Sequence, residues 1–425
     1  MAERRDHVII VGAGAAGLMA ARELSRAGRR VTLLEARERC GGRIHPLSED
    51  AFGYRAEAGA EFIHGDAPVT YRLLAEAGLS AQPIEGERWH VANGRFSRGD
   101  PADAQMDRLH EVLARLDEDL TVTTLLARHF AGPEFAALRD SVLGMVQGYD
   151  AADPDRASVL ALREEWMGGD RGAQTRIVRG YGALLDHLVA ECRARDVVFA
   201  FQSIVTAIES ADGGALVRCA DGQTYRGDVV ILTVPLPLLS SITLPAAMRA
   251  QLAACAEIGF GNVIKLLLRF ERRWWTAMPA HDLSDILFVL SDADVPVWWT
   301  QHPSDHAVLT GWRAGPPTRA FEALDQAALI EAGLVALADI FAKPVTVLRQ
   351  ELAAAHVTDW SKDPFARGAY SYATLATRQA QDVLASWDGG PVLISGEALY
   401  QGRDMGTVEA ALASGLATAR RIVAR

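Results

Sequence analysis

The 425-residue sequence contains few cysteines, almost no lysine and no long uninterrupted apolar run. Its cysteines, Cys40, Cys192, Cys219 and Cys255, form no CxxC pair and have no histidine at metal-ligand spacing. This distribution excludes a disulfide-rich class and predicts reduced thiols without a metal site. The longest mainly apolar stretch, 229–248, contains three prolines, so it predicts a strand and a turn rather than a membrane span.

Charge and the N-terminal residues exclude two further classes. The chain has 43 Lys and Arg residues against 54 Asp and Glu residues, a net charge of −11. Because nucleic-acid binding depends on clustered basic side chains, we expect no nucleic-acid partner. The apolar run near the N-terminus has only four residues, which is too short for a secretory signal peptide. Together with the reduced thiols, this predicts a cytoplasmic protein with no membrane partner.

The length and the pattern of apolar residues predict a multi-domain α/β protein. At about 150 residues per domain, the length corresponds to two or three domains. The predicted strands lie at 7–11, 30–34, 197–208, 215–219, 228–234, 262–270 and 391–395, and the predicted helices at 18–27, 106–120, 184–193, 319–341 and from 408 onward. Because strand-rich and helix-rich stretches are interleaved, we expect two domains threaded through each other.

A GxGxxG motif, formed by Gly12, Gly14 and Gly17, connects the first predicted strand to the first helix. Glycines at these positions allow a tight turn and let backbone N–H groups approach a pyrophosphate. Glu35 ends the next strand, eighteen residues after Gly17, where a carboxylate accepts hydrogen bonds from both ribose hydroxyls of an adenosine. Such glycines also occur in purely structural turns, but the Rossmann-type strand–turn–helix–strand context favours a dinucleotide site.

Further motifs follow in chain order: EARERCGGR (35–43), GAEFIHG (59–65), DVVILTVPLPLL (228–239), WSKDPFARGAY (360–370), and GE (396–397) with GTVEAALASG (406–415). Together they resemble the flavin amine oxidases, which include monoamine, polyamine and spermine oxidases, lysine-specific histone demethylases and L-amino-acid oxidases. The resemblance covers the whole chain and is greatest in these motifs to the polyamine and spermine oxidases.

The resemblance implies a glutathione-reductase-like FAD-binding domain and an interleaved α+β substrate domain with a helical subdomain. We expect the FAD-binding domain to comprise 1–85, 197–245 and 385–425, and the substrate domain to comprise 86–196 and 246–384.

It also implies FAD contacts from residues that the motifs supply: Gly12, Gly14, Ala16, Gly17, Glu35, Ala36, Arg37, Gly42, Arg43, Gly59, Ala60, Glu61, Phe62, Val205, Trp360, Gly396, Glu397, Thr407 and Val408. Ala369 stands where monoamine oxidases carry a flavin-linked cysteine, so we expect FAD to be bound non-covalently.

Lys265 is the residue to which the resemblance assigns the chemistry. It aligns with the family's strand lysine, which holds a water at flavin N5. On a half-buried strand it would share a face with Arg269 and could simply be solvated. A chain that retains only three lysines among 43 basic residues favours the functional interpretation.

Four residues are implied on the substrate side. Tyr370 would form one wall of an aromatic cage for the substrate nitrogen, because a ring face stabilises positive charge. Thr407 occupies the position of the opposite tyrosine of monoamine oxidases, and Trp360 belongs to the same cage motif. His64 matches a histidine beside the substrate channel, or it is a hydrogen-bonded histidine behind the channel wall.

We therefore predict an FAD-dependent amine oxidase acting on a primary or secondary amine, polyamine-like or monoamine. The C–N bond would be oxidised to an imine, which hydrolyses to an aldehyde or ketone, and O2 would be reduced to H2O2. The expected partners are a small amine and O2, and the expected assembly is a monomer or homodimer.

Three alternatives remain. An L-amino-acid oxidase would place a carboxylate-binding arginine where this chain has Phe62, beside the acidic Glu61, so the residues argue against it. A flavin desaturase or dehydrogenase acting on C–C bonds would share the N-terminal and C-terminal motifs. A flavin-binding scaffold without turnover would share them too, but Lys265 and Tyr370 favour an amine oxidase over both.

Overall fold

The computed structural model describes residues 7–92, 94–100, 102–167, 174–278, 281–387 and 390–424. The strands, in chain order, are β1 (His7–Val11), β2 (Arg30–Leu34), β3 (Phe62–Ile63), β4 (Ala81–Pro83), β5 (Glu87–Ala92), β6 (Arg95–Arg98), β7 (Thr175–Ile177), β8 (Val198–Ala200), β9 (Val205–Ala211), β10 (Gly214–Cys219), β11 (Thr224–Gly227), β12 (Val229–Leu232), β13 (Gly259–Gly261), β14 (Val263–Phe270), β15 (Ile286–Ser291), β16 (Val297–Trp299), β17 (Val308–Ala314), β18 (Leu352–Asp359), β19 (Tyr370–Tyr372) and β20 (Val392–Ile394).

The α-helices are α1 (Ala15–Arg26), α2 (Glu49–Phe52), α3 (Pro68–Ala77), α4 (Asp103–Arg115), α5 (Val122–His129), α6 (Ala136–Gly148), α7 (Val159–Trp166), α8 (Gly180–Arg193), α9 (Leu236–Leu239), α10 (Arg249–Ala254), α11 (Gln326–Phe341), α12 (Val345–Glu351), α13 (Thr377–Ala385) and α14 (Val408–Val423). Among the residues that the structure describes, no helix combines the length and apolar composition needed to cross a membrane.

A five-stranded parallel sheet carries the N-terminal glycine motif. Its strand order is β20–β12–β1–β2–β8, and Ile9 of the central β1 pairs with Val230 and with Thr32. Apolar residues of β1 are buried on both faces, as expected for a central parallel strand covered by helices. These strands come from the three stretches predicted for the FAD-binding domain, whereas α8, from outside them, packs into the same core. The domain division stays a prediction, and residues 1–6 of its first stretch lie outside the described residues.

A seven-stranded mixed sheet, in the order β18–β14–β17–β16–β15–β5–β6, carries Lys265 on β14, next to the edge strand β18. The pattern of 262–270 predicts a half-buried strand, but β14 is covered on both faces. Leu266 and Leu268 pack in the core formed with α11 and α12, whereas Leu267, on the opposite face, packs against Phe52 and neighbouring residues. The segment that follows α2 therefore covers the face that Lys265 occupies.

The helices predicted at 106–120 and 184–193 correspond to α4 and α8, and α4, α5, α6 and α7 pack around a shared apolar core. Two other sequence expectations differ from the structure. The strand predicted at 197–208 is two strands, because β8 pairs with β2 whereas β9 pairs with β10. The helix predicted at 319–341 begins at Gln326, where the Asp325 side chain accepts a hydrogen bond from the Ala328 N–H at 2.8 Å.

A buried arginine joins three helices, α1, α3 and α8. The Arg22 side chain of α1 is 1% exposed and forms ion pairs with Glu23 at 2.9 Å, with Glu76 of α3 and with Glu191 of α8. Glu76, Glu191 and His187 place ligand atoms close enough to hold a cation, but Arg22 and Arg26 already pair with both carboxylates. Breaking a buried ion pair from one side leaves uncompensated charge, which is strongly destabilising.

We expect Arg22→Met to lower the free energy of unfolding by about 3 kcal/mol, because three carboxylates lose their shared cation. Urea unfolding followed by circular dichroism measures this. Arg26→Met is the matched control, since Arg26 is 36% exposed and contacts the same carboxylates. The free energy of unfolding of the control should fall by no more than about 1 kcal/mol. Equal losses in the two variants would contradict the assignment.

Candidate functional site

One cavity of about 1720 Å³ runs from the turn between β1 and α1 to the wall formed by α6. Every site residue predicted from the sequence lines this cavity except Gly17. A Cβ atom on Gly17 would lie 2.0 Å from the carbonyl oxygen of Gly12, so this glycine permits the close packing of helix on turn. The structure therefore brings together motifs that are separated by up to about four hundred residues in the chain.

The glycine turn has the shape that a dinucleotide requires. Gly12 has a φ of +108°, and a Cβ there would lie 2.8 Å from the Thr233 hydroxyl. Gly14 forms a β-bridge with Gly41, which brings the two glycine-rich segments side by side. The N-terminus of α1, a favourable place for phosphate, lines the cavity next to them.

Glu35 is buried and fixed beside this turn. Its two carboxylate oxygens accept hydrogen bonds from the N–H groups of Ala13 at 2.8 Å and Arg37 at 2.9 Å. Each oxygen retains a further lone pair, as the predicted ribose contact requires. Ala36, Arg37 and Val205 line the adjoining cavity wall. This set of residues fits the adenosine end of FAD.

The C-terminal motif supplies the opposite end of the cradle. Glu397 accepts a hydrogen bond from Arg43 at 2.9 Å and another from the Ser371 hydroxyl, and Arg43 also donates to the Ala369 carbonyl at 2.7 Å. The N-terminus of α14 points into the cavity, and Thr407 caps it by accepting from the Ala410 N–H at 3.2 Å. Two helix N-termini thus flank one glycine-lined space, which fits a negatively charged dinucleotide.

Lys265 is 1% exposed, and all three of its N–H groups donate to protein oxygens. Nζ lies 2.7 Å from the Glu57 carbonyl, 3.0 Å from the Gly59 carbonyl and 2.9 Å from Oε2 of Glu61. The solvated lysine considered from the sequence is therefore wrong. A water held by this ammonium would have to replace one of these three acceptors.

Glu61 is the centre of a buried charge cluster. Besides Lys265, its carboxylate contacts Arg176 at 3.0 Å, the Gln301 amide at 3.1 Å and the Trp299 indole N–H at 3.2 Å. Burial alone raises the pKa of Glu61, but the charges of Lys265 and Arg176 lower it to about 2. The carboxylate is therefore ionised and fully compensated, and it does not present an uncompensated negative charge to the cavity.

The predicted substrate residues lie on the opposite side of the cavity. Tyr370 donates its hydroxyl to the Tyr149 carbonyl at 2.7 Å, and the Tyr149 hydroxyl lies 2.9 Å from Nδ1 of His64. Burial lowers the pKa of His64 to about 4, so the ring is neutral at pH 7. The Gln174 amide also donates to Nδ1 at 3.3 Å, which leaves the ring proton on Nε2.

Thr407 and Trp360 differ in character from these residues. The Thr407 hydroxyl bonds to the Asp404 carbonyl at 2.6 Å and caps α14, so its oxygen is held by the backbone. Trp360 is buried and lines the cavity within a small cluster that includes Val263 and Ala369. Thr407 has no ring to serve as a second aromatic wall, whereas Trp360 lines the cavity and the Tyr149 ring contacts that of His64.

Several residues of this site were not predicted from the sequence: Glu57, Tyr149, Gln174, Arg176, Trp299, Gln301 and Trp312. They lie outside the motifs. The pairing of β3 with β7 places Arg176 beside Phe62, and the pairing of β16 with β17 places Trp299 and Trp312 on neighbouring strands. The scarcity of lysine could have indicated a buried counter-charge for Lys265, but not which acid supplies it.

Comparison with known proteins gives one family. Residues 15–423 match the family described as flavin containing amine oxidoreductase. Human lysine-specific histone demethylase 2 is 26% identical over 98% of this chain and 53% of its own length, so the chain spans about half of that relative. Polyamine oxidase 2 of Arabidopsis thaliana is 25% identical over 88% of this chain and 79% of its own length.

Solved structures show the same fold. A wild-type putrescine oxidase bound to putrescine superposes with a TM-score of 0.81 at 22% identity, covering 99% of each chain. Cyclohexylamine oxidase from Brevibacterium oxydans gives a TM-score of 0.81 at 21% identity, again covering 99% of each chain. The predicted α/β fold class and the predicted resemblance to flavin amine oxidases are confirmed.

Glu57 generates a prediction about pH. Burial raises its pKa from 4.5 to about 7, and its Oε2 makes no hydrogen bond within the described part of the chain. A raised folded-state pKa stabilises the fold below pH 4.5, and this contribution is lost as pH rises through 7. The parent protein should therefore lose about 3 kcal/mol of unfolding free energy between pH 5 and pH 8, and we expect this loss to be absent in Glu57→Gln.

Urea unfolding of both proteins at pH 5 and pH 8 checks this prediction. Glutamine keeps the acceptor for the Gly182 N–H, which bonds to Oε1 of Glu57 at 2.9 Å. Glu322→Gln, at an exposed position on the surface, is the control and should leave the pH dependence unchanged. A variant with the same pH dependence as the parent protein would show that Glu57 does not titrate in this range.

Proposed function

The chain belongs to the flavin containing amine oxidoreductase family, and from this premise we propose that it is an FAD-dependent oxidase of small amines. A primary or secondary amine would be oxidised at its C–N bond to an imine, which hydrolyses to an aldehyde or ketone. The observation that carries the proposal is the single cavity that joins the dinucleotide cradle, Lys265 and the Tyr370–His64 wall.

The FAD-binding residues proposed from the motifs all face this cavity apart from Gly17. Glu35 would hold the ribose, the N-terminus of α1 the pyrophosphate, and Arg43 with Glu397 the opposite end of the cradle. When bound, FAD supplies the redox chemistry, since flavins accept two electrons from a substrate and pass them to an acceptor such as O2. The protein contributes binding, orientation and exclusion of water.

The substrate amine would lie against Tyr370, with Tyr149 and His64 beside it. The Tyr370 hydroxyl donates to a backbone carbonyl, which fixes the ring at the cavity wall, where it would contact the substrate nitrogen. Because His64 is neutral with its proton on Nε2, it offers a hydrogen-bond donor rather than a charge. These residues would orient the substrate amine. The amine nitrogen must be unprotonated when it reacts, because only the neutral amine can give up electrons.

Lys265 would act by its fixed positive charge and by the water that displaces one of its carbonyl acceptors. Gly59, which supplies one of these carbonyls, lines the cavity, and Glu57, which supplies the other, lies two residues before it. The Glu61 carboxylate holds the ammonium in place while the water exchanges. This arrangement supports the role that the sequence resemblance implies.

A peroxide-coupled assay on the purified yellow protein tests the proposed function. The panel contains polyamines, alkyl and aryl monoamines and L-amino acids, with anaerobic flavin bleaching measured in parallel. Peroxide and bleaching with amines are the expected result. Bleaching without peroxide would indicate a dehydrogenase with another acceptor, and neither signal would favour the C–C desaturase or the scaffold.

We expect Lys265→Met to slow flavin reoxidation by O2 at least about tenfold, because the fixed charge beside the reacting atoms is lost. Stopped-flow absorbance separates this step from flavin reduction, which should change less. Lys362→Met is the matched control, because Lys362 is exposed and lies outside the cavity lining. Unchanged reoxidation in Lys265→Met would overturn the role proposed for this lysine.

Non-covalent binding of FAD gives a separate prediction. Ala369 lines the cavity and has no nucleophile with which to form a flavin linkage. Acid precipitation of the holoenzyme should therefore leave the yellow flavin in the supernatant, as absorbance at the flavin band measures. Flavin that stays with the pellet after denaturation would contradict the prediction.

A further inference from the structure

An aromatic arm extends the cavity beyond Lys265, and it consists of Phe62, Phe288, Trp299 and Trp312. The ring centroids are 5.6 Å apart for Phe62 and Trp299, 6.2 Å for Phe62 and Phe288, and 5.7 Å for Trp299 and Trp312. The four rings are therefore contiguous, and each lines the cavity. Such a surface binds apolar groups, and rings of this kind also attract cations unless another charge interferes.

The chain's own cations already lie over three of these rings. Arg176 lies 5.0 Å from the centroid of Phe62, Arg88 5.6 Å from that of Phe288, and Lys265 5.3 Å from that of Trp299. The register of the sheet fixes the second pair, because Arg88 of β5 pairs with Phe288 of β15. A cation that already lies over a ring occupies the face to which a substrate cation would bind, and its charge also repels that second cation.

The buried acid in this arm does not offset the repulsion. Glu61 is bonded to both Lys265 and Arg176, so one carboxylate already compensates two cations. Arg88 adds a third positive charge at the outer end of the arm, where it lines the cavity. The net charge around the arm is therefore positive, and it disfavours an ammonium group on the substrate.

The cavity wall carries further carboxylates, which are hydrogen-bonded, half-buried or exposed. Asp150 and Asp404 are the half-buried ones, and Oδ1 of Asp404 lies beside Gly65, next to His64 in the chain. Asp100 accepts from the Ser141 hydroxyl at 2.8 Å, and Asp119 accepts from the Ser158 hydroxyl at 2.7 Å. Asp140 and Asp292 are exposed to solvent, where an ion pair contributes little affinity.

We propose that the substrate is a monoamine whose apolar substituent occupies the aromatic arm, and not a diamine or polyamine. This inference rests on the proposed function and specifies its substrate class. The amine end of the substrate would lie at Tyr370 and His64, and the uncharged end would contact the four rings of the arm.

Three amines of equal chain length test the proposal directly: hexylamine, 1,6-diaminohexane and 6-aminohexanoate, with uncharged, cationic and anionic ends. Isothermal titration calorimetry on the FAD-loaded protein under anaerobic conditions gives their Kd values without requiring turnover. We expect hexylamine to bind at least about tenfold more tightly than the diamine, because like charges repel strongly in a partly desolvated site. The ratio of kcat/KM in the peroxide assay should follow the same order.

Arg88→Gln tests the cause of this preference. It removes a positive charge from the arm, so the ratio of the diamine Kd to the hexylamine Kd should fall at least about threefold. The matched control is Arg98→Gln, because Arg98 lies 4.9 Å over the ring of Trp89 on the neighbouring strand but does not line the cavity. The control should change the ratio less than about twofold.

Three results would overturn the proposal. The first is a diamine Kd equal to or lower than that of hexylamine, with a loss of diamine affinity in Asp140→Asn. The second is tightest binding of 6-aminohexanoate with a loss in Arg88→Gln, which would make the arm a carboxylate site. Failure to bind any of the three amines overturns it as well. The proposed function fails separately, when hexylamine binds but neither bleaches the flavin nor yields peroxide.

Discussion

The carboxylate of Glu61 is the contact on which the arrangement of the site depends. It joins Lys265 of β14, Arg176 of β7 and the indole of Trp299 on β16, which belong to two different sheets. Buried ion pairs of this kind contribute little net stability compared with apolar packing, because desolvation offsets their attraction. The main effect of the cluster is to position Lys265, which it holds against the backbone of residues 57–59 at the edge of the cavity.

The same cluster determines what the cavity can bind. Lys265 and Arg176 both contact Glu61, and their side-chain ends lie over the rings of Trp299 and Phe62. On the dinucleotide side of the cavity, the positive potential comes from backbone N–H groups and helix N-termini rather than from charged side chains. One cavity thus combines an anion site formed by the backbone with an apolar site formed by side chains.

The sequence predicted the parts of the site that local chemistry determines. Gly12 needs a positive φ and Glu35 ends a strand beside it, so both could be assigned from spacing alone. The partners of Lys265 could not be predicted, because the pairing of distant strands brings Glu61 and Arg176 together. Thr407 was assigned to the substrate site from an aligned position, but in the structure its hydroxyl caps α14. Alignment does not show whether a hydroxyl is already hydrogen-bonded to the backbone.

The burial of Lys265 also concerns how the protein tolerates its own chemistry. Amine oxidation of the proposed kind releases aldehydes, which condense with accessible lysine amines. Lys265 is shielded, Lys343 is half-buried over the ring of Trp274, and Lys362 is exposed. The other 40 of the 43 basic residues are arginines, whose guanidinium groups stay protonated and do not react in this way. The chain therefore offers a released carbonyl product very few lysine side chains to modify, and its surface charge is kept by groups that the product leaves intact.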